Sequence, residues 1–251
     1  MRFFKFLLVL IILFFAVGYW SGNDNIFRQN SVQQSAKNYD ESNAWYRLYR
    51  IFDLKKAVQS KVAKLNYTNL NNIPLSLQQS IIAVEDNRFY RHYGFDIEGI
   101  FRATLVNIQS GEVQEGASTI TQQLVKNLFL THERTWGRKL EEIVLAIDIE
   151  MRYSKEEILE LYLNTIYFGS GATGITDAAN IYFGKTPVEL NLAESAMLAG
   201  LPNAPSLVSP YVDYTAAKQR QGVVLAALVK YGYIGPSQAT EAKKAPLHFA
   251  K

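Results

Sequence analysis

The sequence predicts a mainly α-helical domain carried behind one N-terminal membrane-spanning helix. Three observations lead there: an apolar stretch at the start of the chain, apolar residues recurring at helical spacing from about residue 75, and little strand-like alternation. With 251 residues the chain can hold one substantial domain, or one domain and a small lobe. A hydrophobic content of 48% argues against disorder. The net charge of +3 is mild, and basic residues are interleaved with acidic ones, so nucleic acid is not an expected partner. The absence of cysteine excludes a disulfide framework, a thiol nucleophile and a thiolate metal site.

Arg2 and Lys5 flank or interrupt an apolar stretch from Phe6 to Trp20, which Ser21-Gly22-Asn23-Asp24 ends. With Phe3 and Phe4 the stretch approaches the roughly 20 residues that cross a bilayer. Lys5 can snorkel to one interface, and Tyr19 and Trp20 suit the other. The positive flank comes first, so the N-terminus is expected in the cytoplasm and the rest outside. Ala16-Val17-Gly18 also has the small-x-small form of a signal-peptide cleavage site. Both readings export the domain. The expected division is an anchor over 1–22, a tether and domain start over 23–72, and the main domain over 73–251. The composition of residues 21 to about 45, rich in Asn, Ser, Gln and Asp, suits an exposed tether.

Leu77 to Tyr90 is apolar with a carboxylate pair near its end. Leu140, Ile143, Val144, Ile147 and Met151 define one apolar helical stripe. Ser154-Lys155-Glu156-Glu157 is a capping box opening a helix that carries Ile158, Leu161, Tyr162 and Ile166. Thr186-Pro187-Val188-Glu189 is a second box, with Pro187 in the tolerated first position. The Ala- and Leu-rich helix after Asn191 stops at Gly200-Leu201-Pro202. The apolar segment around Ile100, Phe101, Leu105, Val106 and Ile108 fits either a lobe that dips into lipid or an ordinary core helix.

Four segments concentrate polar residues. In Glu85-Asp86-Asn87-Arg88-Phe89-Tyr90-Arg91-His92-Tyr93-Gly94, two carboxylates follow the run Ile81-Ile82-Ala83-Val84. A glutamate desolvated by such neighbours has a raised pKa and makes a useful base. A helix C-terminus with solvated acids, and a histidine near the negative end of the dipole, accounts for the same pattern. In Gly116-Ala117-Ser118-Thr119-Ile120-Thr121-Gln122-Gln123-Leu124-Val125-Lys126, the residues Ser118, Gln122 and Lys126 fall at i, i+4 and i+8 of an apparent helix. That spacing makes a polar stripe beside a helix N-terminus that favours anions. A capped surface helix is the plainer alternative.

In Arg134-Thr135-Trp136-Gly137-Arg138-Lys139-Leu140-Glu141-Glu142, Glu142 lies about 200° round the helix from Leu140, with Arg138 one turn before it. Such a pair is ordinarily a surface contact. Leu145 and Ile149 make the Glu142 side apolar as well, which places Glu142 at the lip of a buried region. The fourth segment, Lys155 to Asn164 with Tyr167-Phe168-Gly169-Ser170-Gly171, reads as scaffold. Two separated glutamates, several cations and an exported domain point to a membrane-proximal enzyme handling sugar, phosphate or both.

These segments, in this order, resemble the peptidoglycan glycosyltransferases of family 51, over residues 73 to 246. The motifs are Glu85-Asp86-x-x-Phe89-x-x-His92-x-Gly94, Gly116-x-Ser118-Thr119-Ile120-Thr121-Gln122-Gln123, Arg138-Lys139-x-x-Glu142, Lys155-x-x-Ile158-Leu159-Glu160-x-Tyr162-Leu163-Asn164 and Ala199-Gly200-Leu201-Pro202-x-x-Pro205. The resemblance implies a lysozyme-like helical head with a smaller jaw lobe against the membrane. It implies an activity that polymerises lipid II into β-1,4-linked glycan with inversion and release of undecaprenyl pyrophosphate. Glu85 then matches the general base, and Glu142 the residue that assists the leaving pyrophosphate directly or through a metal ion. Lys126 and Arg134 match the cations that hold the pyrophosphate, and Ser118, Gln122, Gln123, Arg102 and Arg138 match other cleft positions.

The resemblance fixes no cofactor and admits a divalent cation, Mg2+ or Mn2+. The implied partners are lipid II, the growing lipid-linked glycan, the membrane, and proteins of wall synthesis or division. The implied location is the outer face of the bacterial cytoplasmic membrane. Thr173 departs from the pattern, standing where many relatives carry an aromatic. The chain ends at Lys251, soon after this region, so a monofunctional enzyme without a transpeptidase domain is expected. A lysozyme-type hydrolase or lytic transglycosylase is the rival enzyme reading. A silent scaffold of a wall-synthesis complex is the rival of another class.

Overall fold

The structure is a computed structural model that describes residues 53–110, 118–130 and 136–250. The apolar N-terminal segment, the tether before residue 53 and Arg134 all lie outside the described residues. Among the described residues, no helix is long and apolar enough to cross a membrane. The domain is mainly helical, as expected. Ten α-helices are described: α1 (Leu54–Val62), α2 (Leu75–Glu85), α3 (Ile97–Ser110), α4 (Ile120–Phe129), α5 (Trp136–Arg152), α6 (Lys155–Thr165), α7 (Ile175–Phe183), α8 (Leu192–Gly200), α9 (Tyr214–Lys230) and α10 (Pro236–Lys244). A small antiparallel hairpin, β1 (Tyr167–Gly169) and β2 (Ala172–Thr173), joins α6 to α7. Its turn places Ser170 and Gly171 at positive φ, the conformation a tight hairpin requires. Thr173, the departure noted in the sequence, pairs with Tyr167 across this hairpin.

Helix α8 is the centre of the molecule, with every residue from Ala193 to Gly200 buried. Its start is secured by a reciprocal cap in which Asn191 Oδ1 accepts from Glu194 N at 3.0 Å and Glu194 Oε2 accepts from Asn191 N at 3.0 Å. The other oxygen of the buried Glu194 accepts from Lys185 Nζ at 2.6 Å, so the carboxylate is satisfied inside the core. The earlier box at Thr186 caps only a 3-10 turn, Pro187–Glu189. Helices α2 and α9 pack on α8. Gly200 lets α9 approach closely, because a Cβ there would stand 3.1 Å from the Cβ of Arg220. A second group forms as α4 packs on α5 and α6, with α7 beyond, and one continuous apolar core joins the two groups.

Residues 53–72 fold onto this body. Leu54 and Val58 are buried, Thr68 N donates to Asn164 Oδ1 at 2.8 Å, and Leu70 N donates to Glu160 Oε2 at 2.6 Å. The folded unit therefore includes residues 53–72, part of the stretch read as tether and domain start.

Burial decides the faces of two helices. On α5 the stripe of Leu140, Ile143, Val144, Ile147 and Met151 is not the buried face: Leu140 and Met151 are exposed and the other three half-buried. The buried face carries Glu141, Glu142, Leu145, Ala146 and Ile149. The Glu142 side is thus buried, as Leu145 and Ile149 indicated, and Arg138 and Lys139 pair with the carboxylate of Glu142 there. On α3, Phe101, Leu105 and Ile108 are 68, 60 and 72% exposed, which removes the core-helix alternative for that segment.

Candidate active site

Glu85 is the last residue of α2, and Asp86 is its C-cap. The two adjacent carboxylates have opposite fates. Asp86 is buried and accepts from Ile120 N at 3.0 Å, at the first turn of α4. It also accepts from His92 Nε2, at 2.9 and 3.0 Å to its two oxygens. The favourable anion position at the α4 N-terminus is thus filled by a side chain of the protein itself. That corrects the reading of this terminus as open to a ligand. Thr119 completes the junction: its hydroxyl accepts from Gln122 N at 3.1 Å and donates to Gly94 O at 2.7 Å.

Glu85 instead turns into a cleft of about 450 Å3. Burial against the cleft walls raises the pKa of its carboxyl. The hydrogen bond from Gln123, then the charges of Arg220 and Lys126, pull the other way, and Asp86 raises it further. The net shift is upward. The negative end of the α2 dipole also disfavours the carboxylate. Gln123 Nε2 donates to Glu85 Oε2 at 2.7 Å, and Tyr162 Oη donates to Gln123 Oε1 at 3.1 Å.

The residues expected from the sequence separate into groups. Arg102 and Ser118 line the cleft with Glu85. Gln123 reaches Glu85 directly, and Lys126, exposed on α4, lies near enough to act on its charge. Gln122 turns inward and is buried, with its Oε1 accepting from Thr119 N at 3.0 Å. The stripe of Ser118, Gln122 and Lys126 does not form, because α4 begins at Ile120 and Ser118 precedes it.

Glu142 and Arg138 do not line the cleft. Glu142 is 3% exposed; Arg138 Nη1 donates to its Oε2 at 3.0 Å, and Lys139 Nζ donates to its Oε1. The Glu142–Arg138 pair, read from the sequence at the lip of a buried region, has a buried carboxylate and a second cation in Lys139. Among the described residues no group of three or more His, Asp or Glu could hold a metal ion. With both oxygens of Glu142 engaged by cations, the described side chains there do not fit a divalent ion.

Two further cations, Arg220 and Lys230 on α9, line the cleft and were missed in the sequence. Cations along an amphipathic helix read as solvated face. Only the packing of α9 on α2 brings them to the cleft wall. The cleft thus offers a carboxyl of raised pKa that can accept a proton, beside guanidinium and ammonium groups that can neutralise an anion.

Residues 53–229, more than half of the chain, match the family described as Transglycosylase. Penicillin-binding protein 1A of Aquifex aeolicus (strain VF5) is 45% identical over 203 residues, covering 80% of this chain and 28% of that protein. Penicillin-binding protein 1A of Neisseria gonorrhoeae is 47% identical over 185 residues, covering 74% of this chain and 23% of its own length. The chain thus spans about a quarter of the length of these relatives. A crystal structure of penicillin-binding protein 1A from Haemophilus influenzae aligns with 74% of this chain and 18% of its own, at 26% identity and a TM-score of 0.46. With the family matched across the helices that build the cleft, the chain belongs to the transglycosylase family and is a glycosyltransferase.

Proposed function

We propose that this glycosyltransferase polymerises the peptidoglycan backbone from lipid II, and that Glu85 is its general base. The observation that carries the reading is the Glu85 carboxyl of raised pKa, held on one oxygen by Gln123, near Arg220 and Lys126, in a cleft that Arg102 and Lys230 also line. With Oε2 engaged, Oε1 is left to accept the proton of the acceptor's GlcNAc 4-hydroxyl. The freed oxygen attacks the anomeric carbon of the growing chain from the face opposite the pyrophosphate. As the new C–O bond forms, the bond to the α-pyrophosphate breaks, and its electron pair leaves with undecaprenyl pyrophosphate. The result is a β-1,4 linkage with inversion.

Neutralising that leaving group is the work proposed for Lys126 and Arg134, with Ser118 and Arg102 as substrate contacts. Glu142 is placed as the residue that holds Arg138 and Lys139, and through them assists departure. General-base assistance is worth about 10²–10⁴ in rate, and charge neutralisation at a leaving group a comparable factor. The membrane reading belongs to the same proposal: an anchor at the N-terminus, a lysozyme-like head, and the apolar face of α3 as a jaw lying in the outer leaflet. The proposed location is the outer face of the cytoplasmic membrane.

The test is incubation of detergent-solubilised protein with labelled lipid II, with products sized before and after muramidase. A muramidase-sensitive polymer that disappears in Glu85→Gln is the expected result. Shortening of preformed glycan without polymer would instead assign hydrolysis, and polymer from Glu85→Gln would remove Glu85 as the base.

A further inference from the structure

Tyr162 is fully buried in α6, more than seventy residues from Glu85 in the chain, and among the described residues its hydroxyl donates to Gln123 Oε1 alone, at 3.1 Å. Gln123 Nε2 donates to Glu85 Oε2 at 2.7 Å. A primary amide has one donating end and one accepting end, and the two are nearly identical in shape. Nothing in the size of Gln123 prevents it from turning over. What decides its orientation is the group behind it. A phenol O–H that stays protonated can only be satisfied by Oε1, which leaves Nε2 pointing at Glu85. Burial, then the nearby charges of Glu85 and Asp86, hold the Tyr162 phenol well above its ordinary range, so it remains a donor at every working pH.

We infer that Tyr162 is a positioning residue for the reaction: through Gln123 it fixes which end of an amide faces Glu85, and so sets both the orientation and the basicity of that carboxylate. The inference rests on Glu85 being the base. In the observed orientation the carboxylate receives an N–H, which favours its ionised form and leaves Oε1 free for the acceptor hydroxyl. In the reversed orientation the amide oxygen would face the carboxylate, which disfavours ionisation and favours a protonated acid that cannot act as a base. The charged groups around Glu85 are unchanged by the turn: Asp86 beside it, Lys126 on α4, Arg220 on α9, and Arg88, Asp96, Arg102 and Lys230, which line the same cleft. A change in the pH profile of a Tyr162 variant therefore reports on the amide.

The test is the pH dependence of lipid II polymerisation for Tyr162→Phe, with Tyr182→Phe as a matched control. Tyr182 is equally buried and donates to Phe168 O at 2.9 Å, outside the Glu85 network. For Tyr162→Phe the expected result is a loss of roughly two- to tenfold at the acidic end, the worth of one hydrogen bond, recovering as pH rises. Tyr182→Phe is expected to keep the wild-type profile shape even if it melts earlier. In a Gln123→Ala background, Tyr162→Phe is expected to move the profile no further, because its only route to Glu85 is gone. A uniform loss across pH, equal profiles for the two tyrosine variants, or a further shift in the Gln123→Ala background would each overturn the relay. Polymer from Glu85→Gln would instead overturn the base assignment beneath it, so the two failures are distinguishable.

Discussion

Glu85 and Asp86 are neighbours of the same chemistry, and their surroundings give them different work. Asp86 is consumed by His92 and the first turn of α4, whereas Glu85 is desolvated and, among the described residues, only its Oε2 is engaged, by Gln123. Desolvation makes Glu85 costly to the fold. Its folded pKa lies above the unfolded value, so the associated stability is complete below the unfolded pKa and is lost as pH rises through the folded one. Glu85→Gln keeps the shape and removes the charge. The variant is expected to melt above wild type at neutral pH, by about 2–4 °C per kcal/mol recovered, with the advantage vanishing below the ordinary carboxylate range. Calorimetry at several pH values checks this; a variant that melts lower at neutral pH would refute it.

Lys126 acts on the same carboxyl, because its charge favours the ionised form. Lys126→Ala is expected to lower kcat by about 10²–10³ if it also meets the leaving pyrophosphate, and to move the acidic limb of the rate profile to higher pH. Unchanged kinetics would discredit both roles.

At the scale of elements, the site depends on where α2, α4 and α5 converge, and Gly94 is the pin. Its φ is +81°, and a Cβ there would stand 2.9 Å from the backbone carbon of Ala146, one turn along α5 from Glu142. Its carbonyl accepts from Thr119 at the start of α4. Any side chain at this position must push α5 away or break that junction. Gly94→Ala is expected to cost about 1–3 kcal/mol, several degrees in Tm, and to reduce activity even at temperatures where the variant is folded. A variant of native melting temperature and full activity would show the crossing to be slack. The motif containing Gly94 was legible in the sequence; the reason for the glycine was not, since the backbone it must avoid lies some fifty residues away.

For the whole molecule, the described residues form one helical body whose most apolar exposed surface is α3. Phe101 and Leu105 contribute nothing evident to the core, so changing both to Asp is expected to shift stability by no more than about 1 kcal/mol. If that face rests in lipid, the same change is expected to weaken binding to phospholipid vesicles by at least tenfold, since burying each side chain is worth about 1.5–3 kcal/mol. Vesicle flotation and a melting curve on the same sample decide it. Undiminished binding would leave α3 without the proposed seat.

The sequence by itself determined the helical class, the capping box at Ser154, the Glu142–Arg138 pairing and the prominence of Glu85. These are local: a turn of helix, an i, i+4 spacing or a short motif contains all the physics involved. The tertiary structure alone decided which of two adjacent carboxylates is free, that Gln122 is turned inward while Gln123 holds Glu85, and that Arg220 and Lys230 join the cleft. Each of those depends on desolvation or on a partner distant in the chain. Burial is a property of how helices pack, and no periodicity within one helix reveals which polar residue its neighbours will satisfy.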